Sequence, residues 1–412
     1  MESDLEDSGF AMNDLLVFNI GALVTNDAGR GGLLGVVENA AVAIVDGVIA
    51  GVGSSTDIPD VFFDLPRLDA GGAAVVPGFV DPHTHLVFAG DRSDEFDRRL
   101  RGESYEQILA AGGGIHSTVG ATRSAADEEL FEAAAARAWR MMEHGTTTVE
   151  VKSGYGLDAE NEARILRIAN RLGDALPIDV IPTFLGAHVV PAEYRFDRDA
   201  YIDLVCGPML DACAPLAQFC DVFCDEAAFS VPESRRILEA AQLHGLGLRI
   251  HADQLSRIGA AALGAGVRAA SADHLDHATD GDLAAMRSAG TTAVLLPAVS
   301  FAMRLPYPDG RRIWDSGVAV ALATDCNPGT AYVESMPFVV ALAVLNLGLN
   351  ADEAIWAATR GGAHSLGLDD RGHVVPDAIA DLAILDAPTH LHIAYRPDAD
   401  IVAAVIKRGE VM

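Results

Sequence analysis

Apolar runs of four to eight residues occur at intervals along the middle of the chain, and the segments between them have helical spacing. Residues 126–144 and 158–173, for example, are rich in Ala and Leu at positions that share one helix face. Short apolar runs that alternate with such segments predict parallel strands joined by helices. The runs are VVPGFV, GTTTVEVK, IDVIPTFLG, CDVFCDE, LGLRIHA, RAASADH, TTAVLLP and VAVALATD.

Eight strand–helix repeats predict an α/β fold of the TIM type, a closed (β/α)8 barrel. An open, doubly wound sheet is the alternative, because it produces the same alternation. The flanks differ: LLVFNI, AVAIVDGVIAGVG and FFDLP near the N-terminus, and DLAILDAP and IVAAVIKRGEVM near the C-terminus, are short strand candidates between turn residues. We therefore expect residues 1–74 and 371–412 to form one small β-sandwich domain, and residues 75–370 to form the barrel.

Polar side chains follow the ends of the predicted strands. In parallel barrels the active site is built at the carboxyl ends of the strands, so side chains far apart in sequence should meet there. The residues in these positions are His83, His85, Lys152, Tyr155, His188, Asp225, Glu226, His251, His274 and Asp325.

His83 and His85 are separated by one residue at the end of the first apolar run. Side chains at i and i+2 of a strand point the same way, so the two imidazoles can share one metal ion. A hydrogen-bonded pair of loop histidines is the simpler alternative. With His251 and Asp325 from later strands, four protein ligands would converge, a set that suits zinc or iron. Such an ion lowers the pKa of its water to about 7, which supplies a nucleophile near neutral pH.

The composition limits the classes of partner. The 412 residues include 59 acidic and 29 basic ones, for a net charge of −30, which disfavours nucleic acid and anionic membranes. The acidic N-terminus and the lack of a long apolar run predict a cytoplasmic protein. Five cysteines without an export signal are expected to be reduced. Only Lys152 and Lys407 are lysines, and this balance resembles that of proteins from salt-loving organisms, although an acidic mesophilic enzyme is the alternative.

Longer motifs occur in order between residues 75 and 330, among them VPGFVDPHTHLVFAGDR, KSGYGL, TFLGAHVVP, RIHADQLS, ADHLDH and LATDCNPGT. DPHTH with the later His and ATD resembles the amidohydrolase superfamily, and KSGYGL, GAHVVP and TDCNPGT resemble one family within it, the imidazolonepropionases of histidine degradation. The resemblance implies hydrolysis of the ring C–N amide bond of 4-imidazolone-5-propanoate to N-formimidoyl-L-glutamate. It also implies one Zn2+ or Fe3+ ion per chain and a homodimer.

Roles for individual residues follow from the resemblance and from the chemistry. The expected metal ligands are His83, His85, His251 and Asp325, and the expected catalytic residues are Asp325 and His274. The expected substrate-binding residues are Arg92, Tyr155, His188, Gln254, Asn327, Gly329 and Thr330. Arg92 would pair with the propanoate, with surface pairing to a nearby Asp as the alternative, and His188 would donate a hydrogen bond to the substrate. An amide is not a base at neutral pH, so Gln254 would bind substrate rather than move protons.

Two other functions stay open at this point. A mononuclear deaminase or another cyclic amidase would need the same metal ligands, but Arg92, Tyr155 and the NPGT segment favour a carboxylate-bearing substrate. A barrel without catalytic activity is the second alternative, and it is disfavoured because all four ligands are present. We expect Lys152 to be a buried charge partner or a packing group of the barrel interior rather than a bridge between two metals.

Overall fold

The structure is a computed structural model that describes residues 13–54, 56–103, 107 and 113–412. Its strands are β1 (Leu15–Leu23), β2 (Val37–Val45), β3 (Val48–Ser54), β4 (Arg67–Asp69), β5 (Ala74–Pro77), β6 (Phe79–Asp81), β7 (Thr146–Lys152), β8 (Asp179–Ala187), β9 (Phe219–Cys224), β10 (Gly247–Ala252), β11 (Ser271–His274), β12 (Thr292–Leu295), β13 (Val320–Leu322), β14 (Leu382–Leu385), β15 (Val402–Lys407) and β16 (Glu410–Val411).

Helices fill most of the intervals between these strands. They are α1 (Ser93–Leu100), α2 (Ile115–Ser124), α3 (Asp127–Glu143), α4 (Ala159–Ala175), α5 (Arg198–Leu204), α6 (Leu210–Cys213), α7 (Val231–Leu243), α8 (Ala260–Gly266), α9 (Asp280–Ala289), α10 (Pro297–Met303), α11 (Gly310–Asp315), α12 (Met336–Asn346), α13 (Ala351–Trp356), α14 (Gly362–Ser365) and α15 (His392–Tyr395). Within the described ranges, none of the helices combines the length and the apolar character that crossing a membrane requires.

Strands β6 to β13 form one sheet in which each strand neighbours the next in sequence. The ladders from β8 to β13 are parallel. Thr84, after β6, and Cys326, after β13, form a further parallel bridge, and the His85 N–H donates to the Cys326 carbonyl at 2.9 Å. The first and last strands are thus joined beyond their carboxyl ends. The predicted eight-stranded barrel is confirmed, and the open sheet is excluded.

The first predicted strand, VVPGFV, is divided between two sheets. Residues up to Pro77 belong to β5, whereas Phe79 begins β6 of the barrel sheet. Gly78 lies between them, and a Cβ added there would come within 2.4 Å of the Thr147 hydroxyl. The single-strand prediction is therefore wrong, because the backbone turns at a residue that has no room for a side chain. The prediction of a strand at FFDLP is also wrong: a 3-10 helix covers Asp60–Asp64.

The second sheet has the strand order β16-β15-β14-β5-β1-β2-β3, with β4 beside β1. Its first and last strands come from opposite ends of the chain, as predicted. Buried side chains from both halves, such as Val42 and Leu382, belong to one apolar cluster. Burial of this shared cluster holds the two terminal segments together.

The chain divides into two compact units. One comprises the chain up to Asp81 together with Arg140–Thr148 and Ser335–Met412, and the other comprises Pro82–Trp139 and Val149–Glu334. This grouping does not test the predicted domain boundaries at residues 74/75 and 370/371, which stay a prediction. Residues 1–12 of the predicted terminal domain lie outside the described part of the chain. All the residues of the candidate site lie in the second unit.

Candidate active site

A cavity of about 380 Å³ lies at the carboxyl ends of the barrel strands, a volume typical of a small-molecule site. His83 and Gly329 are the two predicted site residues outside its lining. Ten predicted site residues line it: His85, Arg92, Tyr155, His188, His251, Gln254, His274, Asp325, Asn327 and Thr330. Residues that were not predicted complete the lining: Arg99, Ile115, Val189, Phe223, Leu255, Met303 and Leu305.

Imidazoles and a carboxylate converge at the floor of this cavity. His83, His85 and His251 each offer a ligand atom within 4.8 Å of the others, and so do His83, His274 and Asp325. Oδ1 of Asp325 lies 3.5 Å from His83 Nε2 and 3.4 Å from His85 Nε2. The structure thus brings the four predicted ligands together, with His274 beside them. Three imidazoles and a carboxylate are a donor set that fits a transition-metal ion.

The second ring nitrogens of two of these histidines face buried carboxylates. His83 Nδ1 lies 2.6 Å from Asp273 Oδ2, and His251 Nδ1 lies 3.1 Å from Asp221 Oδ2. Carboxylates in this position fix the tautomer and ring orientation of histidines that bind metal through the other nitrogen. Sequence analysis missed both aspartates. The sequence did contain a sign of them, because each is a charged residue inside an apolar run that was predicted to be a buried strand.

Lys152 holds this layer of carboxylates in place. Its Nζ lies 2.8 Å from Glu150 Oε1 and 2.8 Å from Asp221 Oδ2, and all three side chains are fully buried. Arg249 is a second buried cation in this layer, and its Nη2 lies 3.5 Å from Asp273 Oδ2. Buried charges are tolerated when they are paired in this way. Of the two roles expected for Lys152, these contacts show that of a charge partner within the barrel.

Burial and hydrogen bonding set the protonation of the cluster. Burial alone would raise the pKa of Asp325, but the adjacent imidazoles of His83 and His85 hold it well below its usual range. Burial lowers the pKa of His85 to about 4 and that of His274 far below its usual value. Burial and Lys152 also lower the pKa of His83, but the hydrogen bond to Asp273 and the nearby Asp325 carboxylate outweigh them and raise it to about 9. Metal binding at His83 would therefore release a proton.

The backbone at two of these residues is left-handed. His274 has φ of 76° and Asp325 has φ of 51°, a conformation that costs free energy for a residue with a Cβ. Each residue ends or follows a barrel strand, and the unusual backbone turns its side chain into the cavity. Nε2 of His274 is buried and has no hydrogen-bond partner within the described ranges. This nitrogen is thus available to a ligand or a water molecule.

His188 presents an acceptor rather than a donor to the cavity. Its Nδ1 lies 3.0 Å from the Gly154 carbonyl oxygen, and a carbonyl only accepts, so Nδ1 carries the proton. Burial lowers the pKa of His188 well below its usual range, so the ring is neutral and Nε2 keeps its lone pair. This tautomer favours an acceptor role for Nε2 over the donor role expected from the sequence, because it depends on a carbonyl 34 residues away. The contact of His188 with the substrate stays a prediction.

Arg92 lies at the cavity with part of its charge already compensated. Its Nε donates to Glu95 Oε2 at 2.8 Å. Its guanidinium lies against Gly329, where an added Cβ would be 2.1 Å from Nη1. Gly329 thus leaves space for the Arg92 guanidinium. The alternative partners predicted for Arg92 were neighbouring aspartates, and the observed partner is Glu95, one turn along α1.

The hydrogen-bonding groups of the NPGT segment are used within the segment. The Asn327 Oδ1 accepts from the backbone N–H of Gly329 and of Thr330, both at 2.8 Å, and its Nδ2 donates to the Asp325 carbonyl and to Thr330 Oγ1. These contacts shape the loop next to Asp325. Direct substrate binding by Asn327, Gly329 and Thr330 stays a prediction, and a role in holding the loop is what the contacts show.

Tyr155 and Gln254 complete the predicted set. The Tyr155 ring centroid lies 5.8 Å from that of His85 and 5.5 Å from that of His188. Gln254 is half-buried at the cavity wall. The loop that carries Tyr155 is held by Glu162, which sequence analysis missed.

The Amidohydrolase family model matches residues 74–412. The imidazolonepropionase of Mycolicibacterium smegmatis is 50% identical over 97% of this chain and 98% of its own length. That of Salinispora arenicola is 51% identical over 97% and 98%. The chain belongs to the imidazolonepropionase family of amidohydrolases. It is a hydrolase, as the motifs predicted.

A further relative and two solved structures extend this comparison. Within the family, the imidazolonepropionase of Haloarcula marismortui is 45% identical over 97% of this chain and 96% of its own. Among solved structures, a zinc complex of the atrazine chlorohydrolase of Arthrobacter aurescens has a TM-score of 0.74 at 18% identity, covering 96% of this chain and 94% of that one. The guanine deaminase of C. acetobutylicum gives 0.71 at 14%, covering 97% and 100%. The solved structures show the amidohydrolase fold, and the imidazolonepropionase relatives show the family.

Proposed function

We propose that this enzyme hydrolyses the ring C–N amide bond of 4-imidazolone-5-propanoate to give N-formimidoyl-L-glutamate, with one Zn2+ or Fe3+ ion per chain. The observation that carries the proposal is a single cavity in which the His/Asp cluster and Arg92 both contribute to the wall or floor. A metal-ligand cluster suits a hydrolase, and an arginine suits a substrate with a carboxylate tail. The names of the relatives at 45–51% identity agree with this chemistry.

The residues that would hold the ion are His83, His85, His251 and Asp325. The ligand atoms of the three histidines lie within 4.8 Å of one another, and carboxylates orient two of the rings. When bound, the ion supplies Lewis acidity, which polarises the ring carbonyl and lowers the pKa of a water molecule. The donor set does not distinguish zinc from iron.

Asp325 is the proposed proton carrier. Its pKa is held well below the usual range, so it is ionised and can accept the proton of the attacking water. Formation of the new C–O bond is then matched by cleavage of the ring C–N bond, and the departing nitrogen receives that proton. The neutral His274, with a buried and unpartnered Nε2 within the described ranges, would accept a hydrogen bond from the water and orient it.

The other predicted residues would fix the substrate. The lone pair on His188 Nε2 would accept a hydrogen bond from a ring N–H of the substrate, and Arg92 would bind the propanoate. Tyr155 would pack against the ring. Gln254 would donate or accept a hydrogen bond at the rim but would not move protons.

The test is to incubate the purified, metal-replete enzyme with freshly prepared 4-imidazolone-5-propanoate. We expect the ultraviolet absorbance of the ring to disappear and mass spectrometry to detect N-formimidoyl-L-glutamate. We expect Asp325→Asn to lower kcat by a factor of at least about 10²–10⁴, even in molecules that retain the metal. Elemental analysis should give one metal per chain, and His251→Ala should lose it.

Wild-type enzyme that holds its metal and leaves the ring intact would overturn the proposed reaction. Two metals per active chain would overturn the single-ion site, and a metal-replete Asp325→Asn with a near-normal rate would overturn the proton-carrier role.

The proposed homodimer and cytoplasmic location rest on the resemblance and on composition. Light scattering and cell fractionation test them.

A further inference from the structure

We propose that Arg99, a residue of the cavity wall without an assigned role, is a second cationic contact for the carboxylate tail of the substrate and helps to select it. The proposal rests on the proposed function, because it requires a substrate that carries a carboxylate. Arg99 lies on α1, seven residues after Arg92, and both line the same cavity.

The surroundings of Arg99 differ from those of the arginines next to it. Its Nη1 donates to the sulfur of Met303, another residue of the cavity wall. A thioether is a weak acceptor, so this contact does not satisfy a guanidinium. The side chain is half-buried, and burial together with nearby Arg92 lowers the pKa of Arg99. An anion in the cavity would replace the hydration that this cation has lost.

The ion pairs along residues 92–103 also distinguish Arg99 from the other arginines there. Arg92 pairs with Glu95 at 2.8 Å, Arg98 with Glu103 at 2.7 Å and Arg101 with Asp97 at 2.6 Å. Within the described residues, Arg99 has no acidic partner at ion-pair distance. In a chain with 59 acids and 29 bases, acidic partners are abundant, so a pocket arginine that lacks one is available for an anionic ligand.

The charge balance of the cavity wall explains why one arginine would be insufficient. Glu95 compensates Arg92, and its other oxygen accepts from the Gly114 N–H at 2.8 Å, so the Arg92–Glu95 pair has little net charge. Asp325 adds a negative charge on the floor. Among the described residues of this wall, Arg99 has no carboxylate at ion-pair distance, and a net charge of −30 repels anions elsewhere on the molecule.

The experiment compares Arg99→Met with Arg98→Met, a matched control that removes an equally half-buried arginine which pairs with Glu103 and lies outside the cavity lining. Steady-state kinetics on metal-replete enzymes should show the KM for 4-imidazolone-5-propanoate raised about tenfold or more by Arg99→Met, with kcat changed much less. Arg98→Met should behave as wild type. Arg99→Lys should restore part of the loss, since it keeps the charge but not the planar fork.

A second measurement keeps the inference separate from the proposed reaction. We would titrate each protein with 3-(imidazol-4-yl)propanoate and with the corresponding neutral amide by calorimetry. Wild type and Arg98→Met should prefer the acid, and the preference should shrink about tenfold in Arg99→Met.

Unchanged KM and unchanged acid-to-amide preference in folded, metal-replete Arg99→Met would overturn the role of Arg99. If Arg99→Met fails to fold by circular dichroism, Arg99→Gln replaces it in both measurements. Absence of turnover in wild type would overturn the proposed reaction instead, while the acid-to-amide preference would still decide the role of Arg99.

Discussion

Contacts a few ångströms across decide the chemistry of individual residues at the cavity. Arg92 and Gly329 are the clearest case, because the glycine leaves room for the guanidinium. The tautomer of His188 is another, because it follows from one hydrogen bond to the Gly154 carbonyl. The chemistry of a side chain limits the roles that the residue can have. The contacts with its neighbours determine which of these roles it has.

Gly329→Ala tests the first contact. The new Cβ would lie 2.1 Å from Arg92 Nη1, so the guanidinium must move and its pairing with the substrate carboxylate should weaken. We expect a rise in KM of roughly tenfold, comparable to the loss of a charged hydrogen bond, with metal content unchanged. Gly120→Ala is the matched control, since the same change on α2 meets no atom within 4 Å. An unchanged KM for Gly329→Ala would show that the space at Gly329 is not needed for Arg92 to bind the substrate.

The loop after β7 shows how one element positions another. Glu162, on the first turn of α4, is fully buried, and its carboxylate accepts from the N–H groups of Gly154, Gly156 and Leu157 at 2.9, 2.7 and 2.7 Å. This anchor fixes the segment that carries Tyr155 and the carbonyl that sets the His188 tautomer. A helix thus holds two cavity residues that lie on other elements.

Glu162→Gln is the corresponding prediction at the scale of elements. The amide has one acceptor oxygen in place of two, and its NH2 would face backbone donors, so the loop should loosen. We expect KM to rise several-fold and the melting temperature to fall, while the metal stays bound. Glu160→Gln, on the exposed side of the same helix turn, should leave all three quantities as in wild type. Equal kinetics in the two variants would show that the anchor does not act on the site.

For the whole molecule, the charge of −30 is the dominant property. Repulsion among surface carboxylates grows as salt is removed, because the Debye length increases from about 3 Å at 1 M to about 30 Å at 0.01 M. We expect the melting temperature to rise with KCl over this range. A melting temperature that is flat or falls with added KCl would contradict the salt-adapted interpretation of the composition.

Buried ion pairs should respond to salt much less than the surface does. Lys152 and its carboxylate partners are fully buried, and such pairs are only weakly screened. We therefore expect metal content to stay constant across the same series of KCl concentrations. Elemental analysis after dialysis checks this, and it separates destabilisation of the fold from a change at the site.

The sequence by itself determined the barrel and the convergence of its polar residues. Period and length of the apolar runs are local properties, and a parallel barrel places every strand's carboxyl end on one face. For that reason His83, His251 and Asp325 could be assigned to one cluster although they are far apart in sequence.

The tertiary structure alone decided the features that depend on packing between distant residues. VVPGFV divides at Gly78 because Thr147 occupies the space beside it, and no local pattern encodes that neighbour. Asp221 and Asp273 are charges inside apolar strands, and their roles became visible once Lys152 and the histidines lay beside them. Arg99 differs from Arg98 in the same way. Both are arginines on one helix, but a glutamate lies next to Arg98, and the cavity lies next to Arg99.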